Sequence, residues 1–283
     1  MNRYLRHSAL VTLVLPALAF GQSGAGTLAT PPGERGVWVP PNAGDERLVE
    51  LDSANSAPVN PFAIEANPLL RNPRIAGTGI VDPSFRKLTV SEVPFQPWAK
   101  AVYAYRQENQ LEPHTRCKPS GGPRQFLTPY GVEFLELKEL QRILIVDIGG
   151  PHTMRVIYLD GKGHPTDLDS SYLGHSAGKW EGNTLVVDTV GYNERFWFDR
   201  WGLPHTQQLH TVERFTRLDQ TTLKYEITVD DPGAYTAPWT SGIMLRWNPN
   251  QELFEYVCQD NNLAPQLMLG AAESIDRRSV VVP

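Results

Sequence analysis

Two cysteines in 283 residues are too few for a disulfide-dense scaffold or a four-cysteine zinc site. Acidic residues outnumber basic ones, 31 to 26, and no basic run occurs, so the formal net charge is −5. That balance excludes the electrostatic footprint of a nucleic-acid binder. Beyond the N-terminus no stretch approaches 18 apolar residues, so no membrane anchor is expected. There is no dinucleotide fingerprint and no P-loop, and Gly121-Gly122-Pro123 lacks the strand-to-helix context that phosphate binding needs. HExxH and HxH spacings are absent as well. What remains is a chain of ordinary globular composition, 41% hydrophobic and 20% charged, with 24 prolines and 23 glycines that point to many loops.

The first 21 residues read as an export signal. Arg3 and Arg6 form a positive start, Ser8 to Phe20 is an apolar run too short to span a bilayer comfortably, and small residues follow. Cleavage after Ala19-Phe20-Gly21 leaves Gln22 first, with Ala17-Leu18-Ala19 a competing site. Removal of Arg3 and Arg6 takes the net charge from −5 to −7. The expected destination is the periplasm or beyond, an oxidising compartment in which Cys117 and Cys258 most often pair, the other reading being two separate buried thiols.

Residues 22–96 are expected to form an extended, proline-rich arm wrapped on the rest of the protein. Recurrent prolines argue against a long helix or an inner strand there, yet Val37, Trp38, Val39, Leu48 and Val49 are too apolar for a solvated linker. Pro97 to Leu111 is the one helix candidate, with Trp98, Ala101, Val102, Tyr105 and Leu111 on one face. From 132 to 258 short apolar runs alternate with turns. Strands are predicted at Val132–Leu137, Arg142–Ile148, Thr153–Leu159, Tyr172–Glu181, Thr184–Thr189, Gln208–Thr216, Thr222–Val229, Gly242–Trp247 and Leu253–Cys258. Asp160-Gly161 and Gly182-Asn183 are hairpin signals. No helix of crossover length separates these runs, which excludes a parallel βαβ sheet. The fold class is mostly β: an antiparallel up-and-down, calycin-like β-barrel, with a sandwich second. Residues 97–283 would be the helix and barrel together.

Four blocks carry a family resemblance: CKPSGGPR at 117–124, GHSAGKWEGNTLVVDT at 174–189, Leu209–Phe215 with Glu213-Arg214, and DDPGAYTAPWT at 230–240. They are similar to a widespread family of secreted bacterial proteins with a GHSxGxWEGxTLVVDT motif, lipocalin-like in appearance. The resemblance implies a mostly β domain and brings no reaction with it.

Five histidines, His152, His164, His175, His205 and His210, fall within 59 residues, among Glu181, Asp188, Asp199 and Glu213. Histidine is the side chain most readily used as acid, base or metal ligand near neutral pH. Three readings follow: a general acid–base site with a histidine oriented by a carboxylate, a metal site, or histidines that are merely surface and core residues. In 175–181 the alternation puts His175, Ala177, Lys179 and Glu181 on one face. In 209–215 it puts His210, Val212 and Arg214 on one face and Leu209, Thr211, Glu213 and Phe215 on the other. Which face is inward is not legible. Gly174-His175-Ser176-Ala177-Gly178 matches a nucleophile elbow letter for letter, but strand, turn and strand follow it where a helix is needed. Tyr192–Pro204 is too aromatic for an idle loop and suggests a lid over a barrel mouth, or a hydrophobic cluster that packs the arm.

The function this supports is a periplasmic enzyme acting on a small organic molecule by hydrolysis, elimination or isomerisation. His205, His175 and His210 would be catalytic, with Asp188, Asp199 or Glu213 orienting them, and Tyr192, Trp197 and Trp180 lining the ligand. No cofactor is expected, although a divalent metal is possible. The alternative is a non-catalytic carrier on the same barrel.

Overall fold

The computed structural model describes residues 28, 36–40, 48–49, 88–128, 130–147, 153–249, 251–260 and 262–263. The stretch read as an export signal, most of the arm and His152 lie outside the described residues. Nine strands close into a barrel in chain order. They are β1 Val37–Val39, β2 Val132–Leu137, β3 Arg142–Asp147, β4 Met154–Tyr158, β5 His175–Glu181, β6 Thr184–Val190, β7 His210–Arg217, β8 Thr222–Asp230 and β9 Trp239–Asn248. The protein is therefore mostly β, with a single α-helix, α1 Pro97–Asn109, among the described residues.

Two details depart from a plain up-and-down barrel. First, β4 and β5 pair in parallel over two register positions, Ile157 with Ser176 and Tyr158 with Ala177. Residues 159–174 make this possible by carrying the chain back along the wall before β5 begins. Second, the last strand comes from the arm, not from Leu253–Cys258, where residues 251–257 are irregular. β1 pairs antiparallel with both β2 and β9, with Trp38 opposite Val132 and Trp247, and so closes the seam between them. The expectation that no inner strand persists in the arm is corrected here. Three residues fit between Gly36 and Pro40, and a strand that short ends before proline's missing N–H matters.

Alternation fixes the faces. Ile143 and Ile145, Leu185 and Val187, Phe215, Tyr225, Ile227 and Leu245 are all buried and point inward. Phe126, from a 3-10 turn at Pro123–Leu127, enters the same core. Its ring lies 5.2 Å from Phe215, 4.6 Å from Tyr225 and 6.3 Å from Phe134. Tyr192, Phe196, Phe198 and Leu203 of the aromatic loop are buried in that core too, as are the described arm residues Leu28, Leu48 and Val49.

Helix α1 begins with Pro97 in its first turn, as expected. Its buried face is Ala99, Tyr103 and Arg106, continued by Gln110 just past its end, whereas Ala101 and Tyr105 are exposed. The expected face is corrected in part: Leu111 is buried and Trp98 packs on the core, but the polar Arg106 and Gln110, which apolar periodicity cannot reveal, are buried as well. The helix docks on the 231–236 turn: Gln96 N–H donates to Ala234 O at 2.8 Å and Trp98 Nε1–H to Gly233 O at 2.9 Å. Cys117 and Cys258 form a disulfide with Cα atoms 5.5 Å apart. Among the described residues no helix is long and apolar enough to cross a membrane.

Candidate functional site

The barrel wall made by β5, β6 and β7 carries polar side chains on both faces, and the two faces do different things. Register explains the outer one. Ala177, Asp188 and Val212 are cross-strand partners, so His175 and His210, each two residues along its own strand, lie diagonal to Asp188. Diagonal neighbours are within reach of long side chains. His210 Nε2 bonds to Asp188 Oδ2 at 3.0 Å. His164, delivered by the 159–174 segment, fills the other side. Its Nε2 lies 2.8 Å from Asp188 Oδ1, and its Nδ1 lies 2.8 Å from His175 Nδ1. The His175 ring stacks on Tyr158 at 4.8 Å, and the Arg142 guanidinium lies over that same Tyr158 ring at 5.0 Å.

The electrostatics agree with an ionised centre. Partial burial alone would raise the pKa of Asp188, but hydrogen bonds from His164 and His210 outweigh it and hold the carboxyl below its ordinary value. Burial, then the neighbouring His164, lower the pKa of His175. An ionised carboxylate only accepts, so both imidazoles that touch Asp188 donate through Nε2–H. A neutral His164 then offers its Nδ1 as acceptor, and His175 donates Nδ1–H to it. With all three imidazoles neutral, the chain His175–His164–Asp188–His210 ends in two imidazole lone pairs, Nε2 of His175 and Nδ1 of His210. These four side chains are strung in a line, not gathered round a centre. Among the described residues no group of three or more His, Cys, Asp or Glu is arranged to hold a metal ion.

Glu213 faces the other way. It is fully buried in the barrel and pairs with Arg155, which is equally buried. Arg155 donates Nη1–H to Glu213 Oε1 at 3.0 Å, Nη2–H to Glu213 Oε2 and to Thr189 Oγ1, and Nε–H to Ser176 Oγ at 2.9 Å. The Tyr225 hydroxyl donates to Glu213 Oε1 at 2.9 Å. Burial would lower the Arg155 pKa, but Glu213 beside it more than reverses that, and the guanidinium stays charged. Ser176, the serine of the elbow-like motif, thus points into the barrel, where its hydroxyl bonds to Arg155 and Thr189 and not to a histidine. Trp180 shares its inward side and packs partly buried on the core. Tyr192 is buried, hydrogen-bonds Thr211 Oγ1 at 2.9 Å, and has its phenol pKa pushed up by burial to about 12.

His205 and Asp199 form a third, separate group. The His205 ring sits 4.2 Å from the Phe196 ring and 5.0 Å from that of Phe198. Its nitrogens face backbone carbonyls, Nε2 at 3.0 Å from Phe196 O and Nδ1 at 3.4 Å from Thr206 O. Asp199 accepts from the backbone N–H groups of Leu48, Trp201, Gly202 and Leu203, which holds the turn after the aromatic loop. Trp197 is buried under Arg106, 4.8 Å from its guanidinium. Of the predicted set, the structure therefore brings His175, Asp188 and His210 together and leaves His205, Asp199, Glu213, Tyr192, Trp197 and Trp180 elsewhere. His164 completes the cluster. Its signal in the sequence was its place in the histidine-rich stretch, beside the glycines at 161 and 163 that turn the chain with positive φ.

Burial lowers the pKa of both His205 and His114 to about 4. Unfolded, each would titrate near 6.5. Between roughly pH 6.5 and 4 the unfolded chain binds more protons, so stability falls as pH falls. Each histidine accounts for up to roughly 3 kcal/mol of that loss. Urea denaturation at pH 7, 5.5 and 4.5 should show the decline, and His205→Gln should flatten it. Stability independent of pH over this range would contradict a buried, neutral His205 and a half-buried, neutral His114.

No family model, curated protein or solved structure matches the chain.

Proposed function

We propose that the protein is an exported enzyme whose outer-wall chain His175–His164–Asp188–His210 performs acid–base chemistry on a small organic molecule. The observation that carries this is the two-sided use of Asp188: each carboxylate oxygen takes a different imidazole, which fixes both tautomers. A carboxylate that orients an imidazole and stabilises its protonated form is the working part of many general-base sites. Here His175 Nε2 would take a proton from the substrate or from a water, and His164 and Asp188 would hold the resulting positive charge. His210 Nδ1, at the far end of the same carboxylate, would serve as the second proton-transfer group. Hydrolysis, elimination and isomerisation all need such a pair. The aromatic rings packed on one another inside the barrel favour the outer wall over a carrier that holds its cargo within. Export to an oxidising compartment is part of the proposal, supported by the disulfide and the signal-like N-terminus, as is membership of the secreted bacterial family that the sequence blocks resemble.

The test is a panel of aryl esters, lactones and enolisable ketones run against wild type, His175→Ala and Asp188→Asn. Any turnover shown by the wild type should fall about 100- to 10,000-fold in both variants, while melting temperatures stay close to wild type because the cluster is half exposed. Turnover that survives both substitutions would overturn the assignment.

A further inference from the structure

The outer wall of the barrel changes character between its two halves. Along β5, β6 and β7 it carries His175, Lys179, Glu181, Asp188, His210 and Arg214. On β2, β3 and β4 the buried residues Phe134, Ile143, Ile145, Arg155 and Ile157 face the core. Alternation therefore turns Leu135, Leu137, Leu144, Val146, Met154 and Val156 outward. Register makes the six contiguous: Leu144 lies between Leu135 and Val156, and Val146 lies beside Met154. Leu135 is 42% exposed and Met154 55%, and the other four are half-buried. Leu140, in the turn from β2 to β3, is exposed as well. Single exposed apolar side chains are ordinary, but a contiguous block of them marks an interaction surface.

The charged groups at its corners select the partner. One corner is Glu133, opposite Val146 on the neighbouring strand. Burial, then the like charge of Glu252, raise the pKa of Glu133, and no cation acts on it. The diagonally opposite corner is Tyr158, with the exposed Arg142 guanidinium over its ring at 5.0 Å. Asp160 is near that arginine but is paired with Lys162 at 3.1 Å. The face thus has an acid without a cation at one corner, a base at the other, and apolar side chains between them. A second copy of the same face answers all three. Consider a two-fold axis lying in the plane of contact, along the diagonal from Leu137 through Leu144 to Met154. Glu133 of each copy then meets the Arg142–Tyr158 corner of the other, and Leu144 meets Leu144. The strands cross steeply, one of the two ways in which sheets pack. We propose that this outer face of β2, β3 and β4 is the interface of a two-fold homodimer. Ordinary strand spacing and rise make the face about 10 by 14 Å between its outermost Cα positions. Stable interfaces bury about 800 Å² per partner, so this dimer is weak, with Kd on the order of 10 μM.

Sedimentation velocity of the full exported chain should show monomer at about 1 μM giving way to dimer by about 200 μM. Leu144→Asp sets two carboxylates against each other on the axis and should weaken the dimer at least about tenfold. Glu133→Arg alone and Arg142→Glu alone should each weaken it by about tenfold through like charges at the corners, and the two combined should restore it. That exchange decides the matter even if Leu144→Asp does not fold. Three results would each overturn the proposal: monomer throughout the range, a dimer that a folded Leu144→Asp leaves intact, or charge reversals whose effects add in the double variant. A chain that dimerises only after residues 264–283 are removed would give the face to that segment and overturn it too. The readout is mass, so the outcome does not depend on the chemistry of the histidine chain.

Discussion

Replacing Glu213 with glutamine should lower the unfolding free energy by about 3–5 kcal/mol, measured by urea denaturation at pH 7. The substitution keeps the shape of the side chain and removes only its charge. Arg155 would then stay inside the barrel with a full positive charge and no anion, and it would face an amide NH2 in place of one of the two oxygens it now bonds, while the remaining oxygen still accepts from the Tyr225 hydroxyl. Uncompensated burial of a charge dominates that loss. The complementary variant, Arg155→Met with Glu213→Leu, should lose less than Glu213→Gln alone, because it removes both charges and leaves Ser176 and Thr189 bonded to each other at 2.9 Å. A double-mutant cycle that includes Arg155→Met would thus show strong non-additivity. A loss below about 1 kcal/mol for Glu213→Gln would mean that the pair is far more hydrated than its geometry indicates.

Removing the disulfide is the second large perturbation. A Cys117→Ser, Cys258→Ser protein should be about 2–5 kcal/mol less stable than the oxidised wild type. The bridge closes 141 positions, for which loop-closure entropy alone gives about 5 kcal/mol, an upper figure. It also has a local role. Beyond β9 the chain at 251–257 is irregular and mostly exposed, and Cys258 is the buried residue that returns it to the body of the protein. Limited proteolysis should therefore cut the double-serine variant first near Phe254 and Tyr256. Unchanged stability together with an unchanged digestion pattern would remove the bridge from any structural role.

The barrel was legible because its signal is local. Period-two alternation and glycine-marked turns place β2, β3, β6 and β8 to within a residue or so. What could not be read depends on contacts between distant residues. Alternation separates His210 from Glu213 but cannot say which of them faces the core. The choice is made by Phe215 and Thr211, whose side of the strand meets Phe126 and Tyr192 from other parts of the chain. His205 looked like a rim residue because it stands between an aromatic loop and a strand. That same loop folds over it, with Phe196 and Phe198 against its ring. His164 was visible as one histidine among several, yet nothing local shows that the parallel step from β4 to β5 brings it back beside Asp188. Asp199 was a plausible orienting carboxylate by composition, and only the turn at Trp201–Leu203 shows that its oxygens are taken by backbone.

The seam strand β1 bears on how the protein can be produced and cut. Val37 and Asn248 are paired although 211 positions separate them, so the sheet has two open edges, β2 and β9, until the arm arrives. Open edges recruit any extended segment that offers backbone hydrogen bonds, including the same segment from another molecule. A fragment beginning after Pro40 would present that slot permanently. Its natural occupant would be a Val-Trp-Val peptide supplied from outside, and an added peptide spanning 34–42 would be a direct reporter of whether the edge is free.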